Sequence, residues 1–127
     1  MSGGKGLRIL LVEDNLANQL VAMAYLTRAG HTVEKAGTGV EAIDMFYAKD
    51  FDLVLMDVQM PAIDGLECAR MIRTGPRKAS VPIIALTANA LRRDRQKCIE
   101  AGMNGYFAKP IDWDALLTQI ATFSPAA

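Results

Sequence analysis

No apolar stretch in this 127-residue chain approaches the roughly 20 residues that a membrane-spanning helix needs, and its beginning lacks the apolar centre of a signal peptide. The expectation is a domain that makes no membrane contact and works in the cytoplasm. Cysteine is nearly missing: Cys68 and Cys98 sit in helix-like segments at no framework-like spacing, which suits free thiols in a reducing compartment. Excess charge of either sign is absent too, with Lys plus Arg at 14 and Asp plus Glu at 14. The lack of a basic surplus argues against nucleic acid as a direct partner. The single histidine, His31, follows a helix-ending glycine and has no base or metal ligand at useful spacing, so it reads as a structural residue and not as a phosphohistidine. What is present is a hydrophobic share of 51% against 22% charged, enough for the core of one module and not for two.

Hydrophobic periodicity predicts an α/β alternation. Leu7 to Val12 reads as a strand, and Asn15 to Ala29 as a helix in which Leu16, Leu20, Met23 and Thr27 share one face. Thr32 to Lys35 is a short strand, Thr38 or Gly39 starts a helix through Ala48, and Phe51 to Met56 is a central strand. A third helix spans Gly65 to Arg73. Val81 to Leu86 makes the fourth strand, Ala90 to Ala101 a helix, Gly105 to Ala108 the fifth strand, and Asp112 caps a last helix to about Thr122. Right-handed crossovers then demand a five-stranded parallel sheet with helices on both faces, the doubly wound (βα)5 architecture. The domain is expected over 7–123, with flexible ends at 1–6 and 124–127 that allow it to belong to something longer.

The run Leu53, Val54, Leu55, Met56 ends in Asp57, delivering a charge that folding does not require to the end of a strand buried on both faces. Other apolar runs end alike. Ile9 to Val12 leads to Glu13 and Asp14, Pro82 to Leu86 to Thr87, and Tyr106, Phe107 and Ala108 to Lys109. Singly, each polar residue has a plain structural use: Asp57 as a turn residue, Glu13 and Asp14 as helix caps, Thr87 as a strand residue, Lys109 as a solvated charge. Together they occupy four strand ends, which in an open parallel sheet converge on one crevice at the topological switch point.

Val12-Glu13-Asp14-Asn15, Leu55-Met56-Asp57-Val58-Gln59-Met60-Pro61, Asp64-Gly65, Ala85-Leu86-Thr87-Ala88 and Lys109-Pro110 resemble the response-regulator receiver family of two-component signalling. The stretches Gln59-Met60-Pro61, Leu86-Thr87-Ala88-Asn89-Ala90 and Ala101-Gly102-Met103-Asn104 look most like receivers of hybrid sensor histidine kinases. The resemblance implies a flavodoxin-like fold and a phosphorelay role. Asp57 would accept a phosphoryl group from phosphohistidine, forming an aspartyl phosphate, and the domain would catalyse its own phosphorylation and dephosphorylation. Glu13, Asp14, Asp57 and the backbone carbonyl of Gln59 would hold Mg²⁺ or Mn²⁺, because clustered carboxylates repel one another until a hard cation neutralises them. Glu13 departs from a double-aspartate pair, and its extra methylene shifts direct ligation toward contact through water. Lys109 would neutralise a phosphoryl oxygen, aimed by a cis Lys109-Pro110 bond, and Thr87 would offer its hydroxyl. Thr87 and Tyr106 would couple phosphorylation to a surface that includes Leu91, Arg95, Tyr106 and Trp113. The implied partners are a histidine kinase or histidine phosphotransfer protein and an output partner the sequence does not identify.

Three other functions compete. Phosphohydrolases using an aspartyl phosphate commonly carry a second acid two residues after the nucleophile, where this chain has Gln59. A flavin carrier needs a glycine- and hydroxyl-rich loop after the first strand, where Glu13 and Asp14 would repel its phosphate. A phosphorylation-independent interaction module on a receiver scaffold is disfavoured by the intact set of Glu13, Asp14, Asp57, Thr87 and Lys109.

Overall fold

The computed structural model describes residues 6–58, 65–75, 80–87 and 92–123. Strands β1 (Arg8–Val12), β2 (Thr32–Ala36), β3 (Leu53–Asp57), β4 (Ile83–Thr87) and β5 (Gly105–Ala108) alternate with helices α1 (Leu16–Arg28), α2 (Gly39–Ala48), α3 (Gly65–Thr74), α4 (Arg92–Glu100) and α5 (Trp113–Ile120). Every pairing is parallel and the order is β2-β1-β3-β4-β5, so the winding direction reverses between β1 and β3. The expected (βα)5 architecture is therefore the observed one. The flexible ends expected at 1–6 and 124–127 lie outside the described residues, apart from Gly6.

Strand alternation divides the core. Even-numbered residues of β1 and β3 (Leu10, Val12, Val54, Met56) and odd-numbered residues of β4 (Ile83, Ala85) pack under α2, α3 and α4 with Phe46, Cys68, Ile72 and Cys98. Residues of the opposite parity, Ile9, Leu11, Leu53, Leu55, Ile84 and Leu86, pack under α1 and α5 with Leu26, Leu116 and Ile120. Both cysteines are free and buried. Asn15, Thr38 and Asp112 cap α1, α2 and α5, each side chain accepting the backbone N–H three residues on.

Some sequence expectations change. β2, β3 and β4 each end one residue later than expected, and in the last two Asp57 and Thr87 are therefore the last residues of their strands and not the first beyond them. Helix α1 buries Gln19, Ala22 and Leu26, whereas Leu16 and Leu20, placed with Met23 and Thr27 on a shared face, are 62% and 58% exposed. Gln19 donates from Nε2 to the Glu13 carbonyl at 2.5 Å, which offsets part of the cost of a polar residue on the inner face.

Candidate functional site

The carboxyl ends of β1, β3, β4 and β5 share one edge of the sheet, and the polar residues that close these strands meet there. Asp57 ends the fully buried strand β3 and is only 4% exposed; Glu13, one residue past β1, is 3% exposed. Lys109, one residue past β5, places its Nζ 3.0 Å from Asp57 Oδ2 and 3.2 Å from Glu13 Oε1. The Lys109-Pro110 bond is cis, as expected. Asp14 is exposed at the mouth, and carboxylate oxygens of Glu13, Asp14 and Asp57 all lie within 4.8 Å of one another.

Local chemistry explains why each group sits where it does. Glu13 Oε2 accepts the Asn15 N–H at 3.0 Å, which folds the acid back over the start of α1 while its other oxygen faces Lys109. The Glu13 N–H is held by the Ala36 carbonyl at 3.0 Å. On the other side of the site, Val58 N–H donates to Leu86 O and Lys109 N–H to Thr87 O, at 3.0 and 2.6 Å, extending the sheet's register past its ends. Gly65 opens α3 directly against this edge: a Cβ there would stand 2.4 Å from the Asp57 carbonyl oxygen, so only glycine lets the helix begin so close to the acid.

The charges are unequal. Burial, more than any neighbour, raises the pKa of Glu13, the Asp57 charge adds to the rise, and the Asn15 amide and Lys109 oppose it. Burial works against the Lys109 ammonium as well, but its hydrogen bond and charge interaction with Asp57, followed by those with Glu13, leave its pKa raised. With all groups ionised, three carboxylates share this edge with the Lys109 ammonium, which touches only Asp57 and Glu13 among them. Two carboxylates at 4.8 Å repel by about 3 kcal/mol at an effective dielectric of about 20, so a further positive charge is favourable here. All-oxygen donors with one exposed member suit a hard divalent cation that keeps part of its water shell. Gln59, whose carbonyl was expected to complete the set, lies outside the described residues.

Thr87 is buried at the end of β4. Its strand parity places it with Ile83 and Ala85 on the α3–α4 side, where Tyr106 of β5 also packs, opposite Ala85 in register. Asp57, Glu13 and Lys109 have the other parity, toward α1 and α5. Arg95 and Tyr106 line one cavity with Ile99 of α4 and Gln119 of α5. Trp113, expected on that surface, belongs to another: six residues before Gln119, it points elsewhere on α5 and stacks on Tyr25 of α1, ring centres 4.9 Å apart and planes at 7°. Leu91 lies outside the described residues. A second cavity, of about 250 Å³, joins Trp113, Val21, Ala22, Leu86 and Ile111 to Glu13 and Lys109. Gln19 and Gly65 were not singled out as site residues from the sequence. A polar residue among the apolar positions of α1 was the available signal for Gln19; Gly65 read as a helix start and as part of the Asp64-Gly65 stretch, with no role at the site assigned to it.

His31 has the structural role expected of it, accepting the Leu7 N–H at Nδ1 at 3.0 Å, at the far end of β1 from the acids.

A doubly wound domain with a buried acid ending its central strand, a flanking acidic pair and a lysine just past the last strand defines the receiver class. The chain belongs to the response regulator receiver domain family, which matches residues 9–121. It is 41% identical over 118 residues to the aerobic respiration control sensor protein ArcB of Escherichia coli, covering 92% of this chain and 15% of that protein. The chain spans 5% to 15% of the length of the curated relatives it matches, several of them hybrid histidine kinases. Among solved structures, the receiver domain of the sensor histidine kinase PA1611 from Pseudomonas aeruginosa is similar at 44% identity and a TM-score of 0.83, covering 92% of this chain and 95% of that one; it has magnesium coordinated in its active-site cleft. A Saccharomyces cerevisiae receiver, that of Ssk1, solved with the histidine phosphotransfer protein Ypd1, is 30% identical with a TM-score of 0.86, covering 95% of this chain and 90% of that one. Among the described residues, no helix is long and apolar enough to cross a membrane.

Proposed function

We propose that the domain, residues 7–123, accepts a phosphoryl group from phosphohistidine onto Asp57, and that the change reaches partners through Thr87 and Tyr106. The carrying observation is the convergence of Glu13, Asp14, Asp57 and Lys109 at the carboxyl edge. An Asp57 carboxylate oxygen attacks phosphorus, the P–N bond breaks, and the imidazole of the donor leaves. Lys109, already at hydrogen-bond distance from Asp57, follows the transferred group's charge, and the Thr87 hydroxyl donates to a phosphoryl oxygen from the other face of the sheet. Positioning and electrostatics dominate phosphoryl transfer, so no separate general base is needed. Glu13, Asp14, Asp57 and the Gln59 carbonyl would hold Mg²⁺, or Mn²⁺ in its place, with Glu13 acting through water because both its oxygens already have protein partners. Bound there, the cation supplies the charge that lets an anionic phosphoryl group approach three carboxylates. The same site would release the phosphoryl group to water, so the domain catalyses its own modification and its reversal.

The donor is a histidine kinase or histidine phosphotransfer protein, and a cytoplasmic setting suits that chemistry. Exposed apolar residues of α1 support such docking: Leu16, Leu20, Val21 and Tyr25 are 39% to 62% exposed on the helix that walls the cavity beside Lys109 and Glu13. Intact mass after incubation with acetyl phosphate tests the reading. It predicts a gain of one phosphoryl group that requires Mg²⁺ and disappears in Asp57→Ala. A folded wild type that takes up no phosphoryl group from acetyl phosphate or from a phosphorylated phosphotransfer protein would instead favour the phosphorylation-independent interaction module.

A further inference from the structure

Helix α1 places one polar side chain in its inner row. Gln19 is 7% exposed in the same inner row as the apolar residues Ala22 and Leu26, a position where burying an amide is unfavourable unless its hydrogen bonds are made. Its Nε2 donates to the backbone carbonyl oxygen of Glu13 at 2.5 Å. That oxygen is special in the chain: it belongs to the peptide plane that joins Glu13 to Asp14, the two acids at the end of β1. Because a peptide unit is planar, holding its oxygen sets the direction from which the Asp14 backbone departs, and so where the exposed Asp14 carboxylate can point. The preceding peptide is held independently, by the Glu13 N–H on the Ala36 carbonyl at 3.0 Å. Glu13's backbone is therefore fixed from both sides, by the neighbouring strand and by a helix side chain from within the core.

We infer that Gln19 is a positioning residue for divalent-cation binding, fixing the Glu13–Asp14 peptide so that both acids face Asp57. It touches neither cation nor phosphoryl group. The inference rests on the cation-binding reading above and adds to it the residue that preorganises the acids. Loss of a hydrogen-bond partner of a metal ligand typically costs about 10- to 100-fold in affinity; Gln19 acts through the Glu13–Asp14 backbone, so the lower end, about tenfold, is expected here.

The test titrates the purified chain with Mg²⁺, following fluorescence of Trp113, the single tryptophan, which shares a cavity with Glu13 and Lys109. Calorimetry provides a second readout. Gln19→Met keeps length and volume and removes the donor; Gln19→Ala serves if the methionine variant does not fold. Leu26→Ala, on the same inner row about one turn beyond Ala22, is the control for a purely structural loss. The expected result is Mg²⁺ binding weakened about tenfold or more in the Gln19 variants, with unchanged affinity in Leu26→Ala despite its lower melting temperature in EDTA. Folded Gln19 variants that bind Mg²⁺ within about twofold of wild type, short of the range for such partners, would overturn the inference and leave the cation site standing. Equal weakening in Leu26→Ala would overturn it as well, by reducing Gln19 to general stability. A wild type that binds no Mg²⁺ would instead remove the reading on which it rests.

Discussion

Replacing Lys109 by methionine removes the ammonium placed against two buried carboxylates while keeping most of the apolar stem. Breaking a buried ion pair by deleting one partner typically costs about 3 to 5 kcal/mol. The Lys109 side chain is 25% exposed, and its Asp57 and Glu13 partners 6% and 3%, so solvent reaches one end of the pair and the cost is better set at about 2 kcal/mol. For a domain of this size that corresponds to a melting temperature about 8 °C lower in EDTA at about pH 7. The deficit also depends on pH in a defined direction. Glu13's pKa is raised above its ordinary 4.5 in the fold, and losing the ammonium raises it further. A carboxyl with a raised folded-state pKa takes up protons on folding, so its penalty is complete above the raised value and disappears below the unfolded one. The Lys109→Met deficit therefore shrinks as the pH falls from neutral toward 4.5. Mg²⁺ takes over the missing charge: the variant binds it more tightly than wild type and recovers much of its lost stability. Urea denaturation across pH, with EDTA or Mg²⁺, measures all three effects. A deficit below about 0.5 kcal/mol, or one that grows on acidification, would refute the electrostatic account of the site.

Three further outcomes rest on particular contacts. Burial lowers the pKa of His31 from its ordinary 6.5, and its Nδ1 must stay unprotonated to accept the Leu7 N–H. Its contribution is thus present above the unfolded value and lost as pH falls through the lower folded one, so His31→Gln flattens part of the acid-side fall in denaturation free energy. Gly102 has φ +96°, and a Cβ there would stand 2.7 Å from Arg73 Cγ. Gly102→Ala lowers stability by about 1 to 2 kcal/mol for the left-handed backbone alone, read by urea denaturation. Leu55→Ala, at a fully buried position of the central strand, costs about 2 to 5 kcal/mol by the same assay while the remaining folded protein still binds Mg²⁺.

The sequence made β3 and its terminal acid legible because a strand buried on both faces leaves an unbroken apolar run, against which Asp57 stands out. The same holds for Val12-Glu13 and Leu86-Thr87, and parallel topology alone then brings the strand ends together. Helix faces were harder to read. α1 carries apolar residues on both sides, so Leu16 and Leu20 read as a core face; the buried row is instead Gln19, Ala22 and Leu26, with the Gln19 amide donating to the Glu13 carbonyl. Trp113 was similarly ambiguous, since its surface is set by a ring on another helix, Tyr25, far earlier in the chain and invisible to local periodicity. Glu13's double engagement by the Asn15 amide and Lys109 also depends on three-dimensional closure.

Asp57, and no other acid at this edge, is proposed to accept the phosphoryl group. Phosphoramidate, whose P–N bond mimics phosphohistidine, is the direct donor to use, with borohydride reduction of the product and peptide mapping by mass. The expected result is one Mg²⁺-dependent phosphoryl group per chain and a homoserine at position 57, both lost in Asp57→Ala. A label mapped to Glu13, Asp14 or His31, or one that persists in Asp57→Ala at the wild-type level, would contradict it.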